Sequence, residues 1–262
     1  MCGTCGCDRT DESALETGAG AATRMLRLEL DVLARNDEAA RENRAWLAAR
    51  RTAAVNLMSS PGSGKTTLLE HTIPGLTGAV ECAVIEGDQE TRLDAERIRA
   101  SGAPAVQVNT GTGCHLDAAS VGRALRELDP PPGPGRLDPH RGAVDPHRGS
   151  VDPHRGSVVL IENVGNLVCP GLFDLGETAR VVLTSVTEGE DKPTKYPHMY
   201  RAADLILLTK VDLLPWLAFD GDQFTDAVRQ VNPSVRVLAV SANDGAGLSD
   251  WFSWLRALAT AA

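Results

Sequence analysis

The sequence predicts an α/β fold in which a mostly parallel sheet is flanked by helices. Two observations support this prediction. From residue 53 onward, short apolar runs alternate with helical patterns, as expected for buried parallel strands covered by helices. One of these apolar runs leads directly into a glycine-rich loop followed by a helix, an arrangement suited to binding phosphate groups.

The chain before the sheet is predicted to contain a tail and helices. Residues 1–23 show no periodic apolar pattern, and we interpret them as a flexible N-terminal tail. Residues 24–51 carry two helical patterns, and the second starts at Asn36, a residue type that commonly caps helix N-termini. The remaining residues, 52–262, are expected to form one large domain.

Individual strands and helices can be assigned along this domain. Strands are predicted at residues 53–58, 80–85, 105–108, 158–162, 180–186, 204–208 and 235–240. Helices are predicted to begin near Lys65, Thr91, Cys114, Gln223 and Leu248. This alternation favours a parallel sheet, because parallel strands need a crossover connection between them.

One segment of the domain interrupts the alternation. Residues 129–157 are rich in Pro and Gly and contain three tandem copies of the unit DPHRGxV. Each copy holds a Pro and a Gly, which interrupt helices, so we interpret the segment as a disordered insertion. Because loop closure depends weakly on loop length, we expect deletion of residues 136–157 to leave folding nearly unchanged.

Composition and charge exclude several classes of protein. Hydrophobic residues make up 42% and charged residues 23% of the 262-residue chain, which excludes a disordered or fibrous protein. The formal net charge of -9 argues against broad binding to nucleic acids or anionic membranes. Neither a long apolar run nor an apolar signal region near the start is present, so we expect a cytoplasmic protein.

The strongest motif is VNLMSSPGSGKTTLL, at residues 55–69. It matches the phosphate-binding pattern G-x-x-x-x-G-K-[ST] except that Ser59 replaces the first Gly. In such loops the backbone N–H groups surround the phosphates, the Lys contacts the outer phosphates and the following hydroxyl binds magnesium. The residues expected to bind the nucleotide here are Gly62, Ser63, Gly64, Lys65, Thr66 and Thr67.

A second motif predicts which base is bound. The sequence TKVD, at residues 209–212, is similar to the N-K-x-D guanine motif of GTPases. Asp212 could accept hydrogen bonds from guanine N1–H and from the exocyclic amine, and Lys210 would cover the base. Thr209 replaces the usual Asn, which removes an amide that braces the loop. Ser241 follows the last predicted strand, where GTPases place a further base-contacting loop. Together the motifs predict a P-loop NTPase G domain that binds GTP.

Two carboxylates are expected beside the phosphates. Asp88 and Glu162 each lie at the end of a predicted strand, and ENVG is similar to the D-x-x-G switch motif of GTPases. We expect them, with Lys65 and Thr66, to form a catalytic and magnesium-binding set. A solvated loop or a helix cap is the alternative for either carboxylate. Since the sequence identifies neither an arginine finger nor a water-orienting residue, we expect slow turnover.

The tail carries a candidate metal site at Cys2, Cys5 and Cys7. Three thiolates so close together can bind one soft or borderline metal, with planar sulfur and nitrogen ligation favouring Ni²⁺ and tetrahedral ligation favouring Zn²⁺. The alternative is a set of incidental thiols.

A second candidate metal site combines Cys114 and His115 with Cys169, which follows the proposed switch motif. We expect Cys114 and His115 to open a helix, whose dipole would favour the thiolate form of Cys114. Two core cysteines and a capping histidine are the alternative. Cys82 lies inside a predicted strand and is interpreted as a core residue.

These motifs, in this order, resemble those of the HypB family of hydrogenase nickel-incorporation GTPases. The resemblance rests on MCGTCGC, NLMSSPGSGKTTLL, IEGDQET, GCHLDA, ENVGNLVCP, SVTEGEDKPTKYP and TKVDLLP. It implies a GTP-hydrolysing nickel metallochaperone that assists nickel insertion into the large subunit of nickel–iron hydrogenase. It also implies a nucleotide-dependent homodimer, with a HypA-type nickel chaperone and the hydrogenase large-subunit precursor as partners.

The resemblance further implies what each site binds. GTP with Mg²⁺ would occupy the phosphate loop, Ni²⁺ the tail cysteines, and Zn²⁺ or Ni²⁺ the second set, near a dimer interface. Two other functions stay open on the residues alone. One is a metal-storage or metal-sensing protein in which the nucleotide only gates metal binding. The other is a chaperone GTPase for urease or a cobalamin-dependent mutase.

Overall fold

The carboxyl ends of neighbouring parallel strands meet at one edge of the sheet, and this edge determines where the candidate residues gather. The computed structural model describes residues 12–88, 93–111, 113–133 and 156–262, with side chains from residue 30 onward. Two compact units divide the chain, Met1–Arg35 and Asn36–Ala262. The sheet and all the sites described below belong to the second unit.

Seven strands form one sheet in the order β3-β2-β4-β1-β5-β6-β7, and all neighbouring pairs are parallel. The strands are β1 (Thr52–Ser59), β2 (Val80–Asp88), β3 (Ala105–Asn109), β4 (Gly156–Glu162), β5 (Ala179–Ser185), β6 (Leu205–Thr209) and β7 (Arg236–Val240). The predicted α/β fold with a parallel sheet is therefore confirmed.

The described residues form several helices, and the helical residues of the second unit cover both faces of this sheet. The helices are α1 (Glu12–Arg50), α2 (Lys65–Leu76), α3 (Leu93–Ala100), α4 (Ala118–Leu128), α5 (Lys192–Lys195), α6 (Pro197–Arg201), α7 (Gly221–Val231) and α8 (Leu248–Ala261). Short 3₁₀ turns lie at Cys169–Leu172, Val186–Glu188 and Val211–Trp216. None of the described helices combines the length and apolar character needed to cross a membrane.

The central strand β1 shows why the sequence folds in this way. Every residue of β1 is buried, and successive side chains of a strand point to opposite faces. Val55 and Leu57 enter the core beneath α2 and α8, whereas Ala54 enters the core beneath α1 and α4. A run of apolar residues without alternation is thus what a strand covered on both faces requires.

The region before the sheet differs from the prediction. One continuous helix, α1, replaces the two predicted helices and includes the part of the predicted flexible tail from Glu12 onward. Asn36 lies inside α1 and does not cap a second helix. Its side chain accepts a hydrogen bond from the backbone N–H of Ala118 and donates one to the carbonyl of Asp174. A tertiary contact, not a helix end, explains this asparagine.

The predicted bounds of the insertion, 129–157, are too wide. Asp129 ends α4 in the left-handed conformation, and Gly133 N–H donates to the carbonyl of Arg50. Gly156 and Ser157 begin β4 and pair with β2. The repeat units themselves fall within residues 134–155, which lie outside the described residues.

Candidate functional site

The phosphate loop joins β1 to α2 at the carboxyl edge of the sheet. Gly62 and Gly64 have φ values of 74° and 97°, in the region that residues with a Cβ rarely adopt. Gly64 is the residue before α2, so the helix begins directly at Lys65. The first turn of a helix has backbone N–H groups without intrahelical partners, and here they face an open pocket. The local geometry therefore favours an anion at this position.

The pocket beside this loop has a volume of about 520 Å³. It lies where β1, β2 and β4 end, which is the usual ligand position in open α/β sheets. Its lining combines the loop with carboxylates and with a few basic side chains: Pro61, Gly62, Gly64, Lys65, Thr66, Thr67, Glu86, Gly87, Asp88, Asp94, Arg97, Glu162, Asn163, Val164, Gly165 and Lys210.

Lys65 is held inside the pocket by the residue that departs from the usual loop pattern. Its ammonium donates to Ser59 Oγ at 2.8 Å, and Ser63 Oγ donates to the same oxygen at 2.6 Å. Burial lowers the pKa of Lys65, while the nearby carboxylate of Glu162 opposes that effect. Ser59 thus supplies an acceptor for the buried ammonium, a role that Gly could not fill.

Two buried carboxylates face the phosphate loop. Thr66 Oγ1 donates to Glu162 Oε1 at 2.8 Å, and Glu86 stands beside Glu162 in the register of β2 and β4. Burial raises the pKa of Glu162 to about 7. Burial, together with the charge of Glu162, raises the pKa of Glu86 to about 8. Asp88 lines the same pocket.

Each of these two carboxylates has a buried oxygen without a hydrogen-bond partner among the described residues, Glu86 Oε2 and Glu162 Oε2. Leaving a buried acceptor unpaired is costly, so such atoms indicate a missing ligand. Oxygen donors of this kind, with the Thr66 hydroxyl, fit a hard cation such as Mg²⁺. Sequence reasoning missed Glu86. Its only sequence signal is its position directly after the predicted strand at residues 80–85.

The TKVD segment braces the phosphate loop from the other side. Thr209 Oγ1 donates to the carbonyl of Ser63 at 2.7 Å, and Lys210 Nζ donates to the carbonyl of Gly62 at 2.7 Å. Thr209 lacks the amide of the usual Asn, but its hydroxyl contacts the loop in place of that amide. Its hydroxyl reaches the loop because β6 ends directly below Ser63.

Asp212 is oriented by two donors from the loop after β7. Ser241 Oγ donates to Asp212 Oδ1 at 2.7 Å, and Asn243 Nδ2 donates to Asp212 Oδ2 at 3.2 Å. A cavity of about 220 Å³ adjoins them and is also lined by Thr209 and Lys210. Ser241 is expected here from the sequence, whereas Asn243 is a further residue of the site that no sequence motif indicates. This arrangement can present a fixed carboxylate to a ring that offers adjacent N–H donors.

Cys114, His115 and Cys169 come together away from the phosphates. Their ligand atoms all lie within 4.8 Å of one another, with 2.9 Å between the two sulfurs and 3.6 Å from Cys114 Sγ to His115 Nδ1. All three residues are half-buried, and the His115 ring stacks on Phe173. Two thiols and an imidazole that converge in this way fit Zn²⁺ or Ni²⁺ with a coordination position left open.

The local structure around this triad corrects one expectation. Cys114 and His115 lie in a loop, because α4 begins at Ala118 and Asp117 caps it by accepting from Ser120 N–H. The hydrogen bond with Cys169, then burial, raises the pKa of the Cys114 thiol, opposite to the predicted dipole effect. Burial lowers the pKa of His115, which favours the neutral imidazole that metals bind.

One further cysteine, Cys82, lies among the described residues. Cys82 packs against the core, and burial raises its pKa to about 12. Cys2, Cys5 and Cys7 lie outside the described residues.

Comparison with known proteins identifies a family model and several relatives that match this chain. The family model described as the CobW/HypB/UreG nucleotide-binding domain matches residues 53–239. Hydrogenase maturation factor HypB of Escherichia coli strain K12 is 49% identical over 256 residues, with 94% of this chain and 80% of that protein aligned.

Two crystal structures are similar to the whole domain. HypB from Archaeoglobus fulgidus gives a TM-score of 0.72 at 36% identity, with 86% of this chain and 99% of that chain covered. HypB from Helicobacter pylori, in complex with nickel, gives a TM-score of 0.72 at 34% identity, with 84% and 93% covered. The segment matched by the family model, residues 53–239, includes the phosphate loop, both buried carboxylates and the Cys114 triad.

Proposed function

The chain belongs to the HypB family of hydrogenase maturation factors, and on that premise we propose that it is a GTP-hydrolysing nickel metallochaperone. It assists nickel insertion into the large subunit of nickel–iron hydrogenase. The observation that carries the proposal is the short segment 162–169, which joins a carboxylate of the nucleotide pocket, Glu162, to a thiol of the metal triad, Cys169. One chain segment thus belongs to both sites.

GTP binds with its phosphates at the start of α2. The backbone N–H groups of Gly62, Ser63, Gly64 and Thr67 contact the phosphates, and the Lys65 ammonium exchanges Ser59 for a phosphate oxygen. Thr66, Asp88 and Glu162 hold Mg²⁺, as the unpartnered Glu162 oxygen supports. When bound, Mg²⁺ neutralises charge on the outer phosphates.

Guanine is selected by Asp212, whose two oxygens accept from N1–H and the exocyclic amine. Ser241 and Asn243 keep that carboxylate in place. Thr209 and Lys210 connect the base site to the phosphate loop. Adenine offers an acceptor where guanine has N1–H, so the same carboxylate rejects ATP.

We attribute slow intrinsic turnover to the small amount of free cationic charge that the described residues bring to the pocket. Arg97 supplies a guanidinium to the lining, but Glu70 binds it through two hydrogen bonds and Asp94 binds its other edge. An arginine neutralised in this way stabilises little of the charge that develops on a transferring phosphoryl group.

Metal is carried at two places. Cys2, Cys5 and Cys7 bind Ni²⁺, and the triad of Cys114, His115 and Cys169 binds Zn²⁺ or Ni²⁺. The nickel complex of the Helicobacter pylori relative supports nickel as the cargo. The protein acts in the cytoplasm as a homodimer with a HypA-type chaperone and the hydrogenase large-subunit precursor. It uses neither a nucleic acid nor a membrane.

Two variants separate the nucleotide role from the nickel role. We expect Lys65→Ala to lower GTP turnover by about 100-fold or more while tail nickel binding persists, because it removes a phosphate contact only. Replacing Cys2, Cys5 and Cys7 together by Ala should abolish tight nickel binding and leave GTP turnover intact. Turnover of GTP and ATP and the nickel stoichiometry of each protein are the measurements.

Specific results would contradict each part of this proposal. A wild-type protein that hydrolyses no GTP, with or without Ni²⁺, would exclude the enzyme and leave a metal-storage or sensing role. Unchanged nickel stoichiometry in the triple variant would exclude the tail site. A hydrogenase large subunit that carries its normal nickel in cells lacking this protein would exclude the delivery role.

A further inference from the structure

Asn163 belongs to the nucleotide pocket and to the metal loop at the same time. It follows Glu162 directly, lines the pocket and is 1% exposed. Its Oδ1 accepts from the backbone N–H of Leu116 at 3.1 Å and from that of Val164 at 3.0 Å. Its Nδ2 donates to Asn56 Oδ1 on β1 at 3.1 Å. One buried side chain therefore ties β1 and β4 to the loop that carries Cys114 and His115.

Leu116 makes a second connection between the same two places. It follows His115 and is 1% exposed. A Cβ added at Gly87 would lie 2.8 Å from Leu116 Cγ, so the leucine packs directly on the backbone between Glu86 and Asp88. The metal loop thus rests on the strand end that bears the pocket carboxylates.

The other side of the triad is tied to the same segment. Asn166 Nδ2 donates to the carbonyl of Cys114 at 3.2 Å, and its Oδ1 accepts from Val168 N–H, next to Cys169. The segment that starts at Glu162 therefore contacts the backbone of the first triad cysteine and contains the last triad cysteine. A shift of this segment must move the triad ligands relative to one another.

We propose that Asn163 and Leu116 are positioning residues through which the nucleotide sets the metal affinity of the triad. The inference rests on the proposed function and names the residues that link its two sites. Binding of nucleotide and cation changes the hydrogen-bond partners of Glu162. Asn163, the next residue in the chain, must then shift with Glu162. The buried N–H of Leu116 must move together with Asn163 Oδ1, because losing this acceptor would leave a buried donor unpaired. Close packing between Leu116 and Gly87 transmits the same displacement.

The test measures the affinity of the triad for Ni²⁺ in the full-length protein. Cys2, Cys5 and Cys7 are replaced by Ala in every sample, so that nickel reports on the triad. The dissociation constant is measured with GDP and with a non-hydrolysable GTP analogue, and the ratio of the two is the coupling. Linkage requires nickel to change the ratio of GTP-analogue affinity to GDP affinity by this same factor, which gives an independent readout.

Asn43 provides the matched control. It is 2% exposed and makes two hydrogen bonds, to the carbonyls of Ala118 and Leu175, neither of which lines the nucleotide pocket. In the parent protein, which carries only the three tail substitutions, we expect the Ni²⁺ dissociation constants with GDP and with the GTP analogue to differ by about fivefold or more, in either direction. Asn43→Ala should show the same difference. In Asn163→Ala and in Leu116→Ala the ratio should fall to within about twofold of one, while both ligands still bind. Leu116→Met keeps the packing volume and should retain the parent ratio.

Several outcomes would overturn the inference. One is an unchanged ratio in both Asn163→Ala and Leu116→Ala; another is an equal loss in Asn43→Ala, which would indicate general loosening. Should Asn163→Ala fail to fold, the pair Leu116→Ala and Leu116→Met decides the matter. A parent protein that binds GTP and Ni²⁺ but shows no coupling rejects the inference and leaves the proposed function standing. A parent that binds neither GTP nor Ni²⁺ rejects both.

Discussion

A substitution at Asp212 should change the preferred base from guanine to xanthine. Its carboxylate is fixed by Ser241 and Asn243, so a substitution there changes hydrogen-bonding character more than position. In Asp212→Asn, the new amide N–H would face the exocyclic amine of guanine, so two donors would meet. Xanthine has a carbonyl at the position of that amine, and this carbonyl could accept a hydrogen bond from the amide. We expect GTP affinity to fall about 100-fold and XTP to become the better ligand, because unpaired polar groups are costly. Competition binding with GTP, XTP and ATP measures this.

Asn243→Ala is the control for this prediction. It removes one donor to Asp212 but leaves the carboxylate and its Ser241 contact. We expect a loss of GTP affinity of about threefold to tenfold, with no gain for XTP. Equal losses for GTP and ATP in Asp212→Asn, without a gain for XTP, would show that Asp212 does not contact the base.

Single residues also show how far the site can be predicted from sequence. The phosphate loop and TKVD are contiguous motifs whose chemistry depends on local spacing, so the sequence identifies their residues. Glu86 matters because Glu162 stands beside it on β4, and that pairing is set by contacts distant in the chain. Glu86 and Asp88 both follow the predicted strand at residues 80–85, so local sequence gives no reason to prefer Glu86 to Asp88.

At the level of elements, the insertion can be removed if the strand after it is left complete. Ser157 Oγ donates to the carbonyl of Pro131 at 2.6 Å, so the two sides of the insertion already lie together. We expect deletion of residues 136–155 to change the free energy of unfolding by less than about 1 kcal/mol, since loop length contributes weakly. Urea unfolding of the wild type and the deletion measures this.

Deletion of residues 136–157 is the matched comparison, and here the structure reverses the expectation from sequence. It also removes Gly156 and Ser157, which pair with Val80 and Glu81 on β2. We expect a loss of about 2 kcal/mol or more, the scale of a broken buried network. Equal stability of the two deletions would contradict this account of where β4 begins.

Helix ends were the least predictable elements. Asn36 has the residue type of an N-cap, yet α1 continues through it because Ala118 and Asp174 use its side chain. The predicted helix near Cys114 begins at Ala118, after the cap Asp117. In both cases several nearby residues could serve as a helix start, and contacts from elsewhere in the chain select among them.

For the whole molecule, the strand positions were predictable and their order was not. Apolar runs mark each strand, but they do not indicate that β4 inserts between β1 and β2. That order brings the phosphate loop, Glu86 and Glu162 to one edge, and it places the metal loop behind Gly87. The linkage between the two candidate sites is therefore a property of the topology, which no single motif contains.

The stability of the whole molecule should depend on pH through Glu86. Burial raises the pKa of this carboxyl from 4.5 to about 8. Between those values the folded state keeps a proton that the unfolded state has released. The folded state then binds more protons, so stability must fall as the pH rises through this window. Above about pH 8 both states are ionised, and the loss is complete.

Glu86→Gln isolates this effect, because the amide resembles the protonated carboxyl and has no proton to lose. In nucleotide-free protein with EDTA, we expect the stability of Glu86→Gln relative to wild type to increase between pH 5 and pH 9. The increase should be at least about 1.4 kcal/mol, the equivalent of one pKa unit. Urea unfolding across this range measures it, and Glu96→Gln, at an exposed position on α3, is the matched control. A constant difference for Glu86→Gln would mean that Glu86 is already ionised in the folded protein.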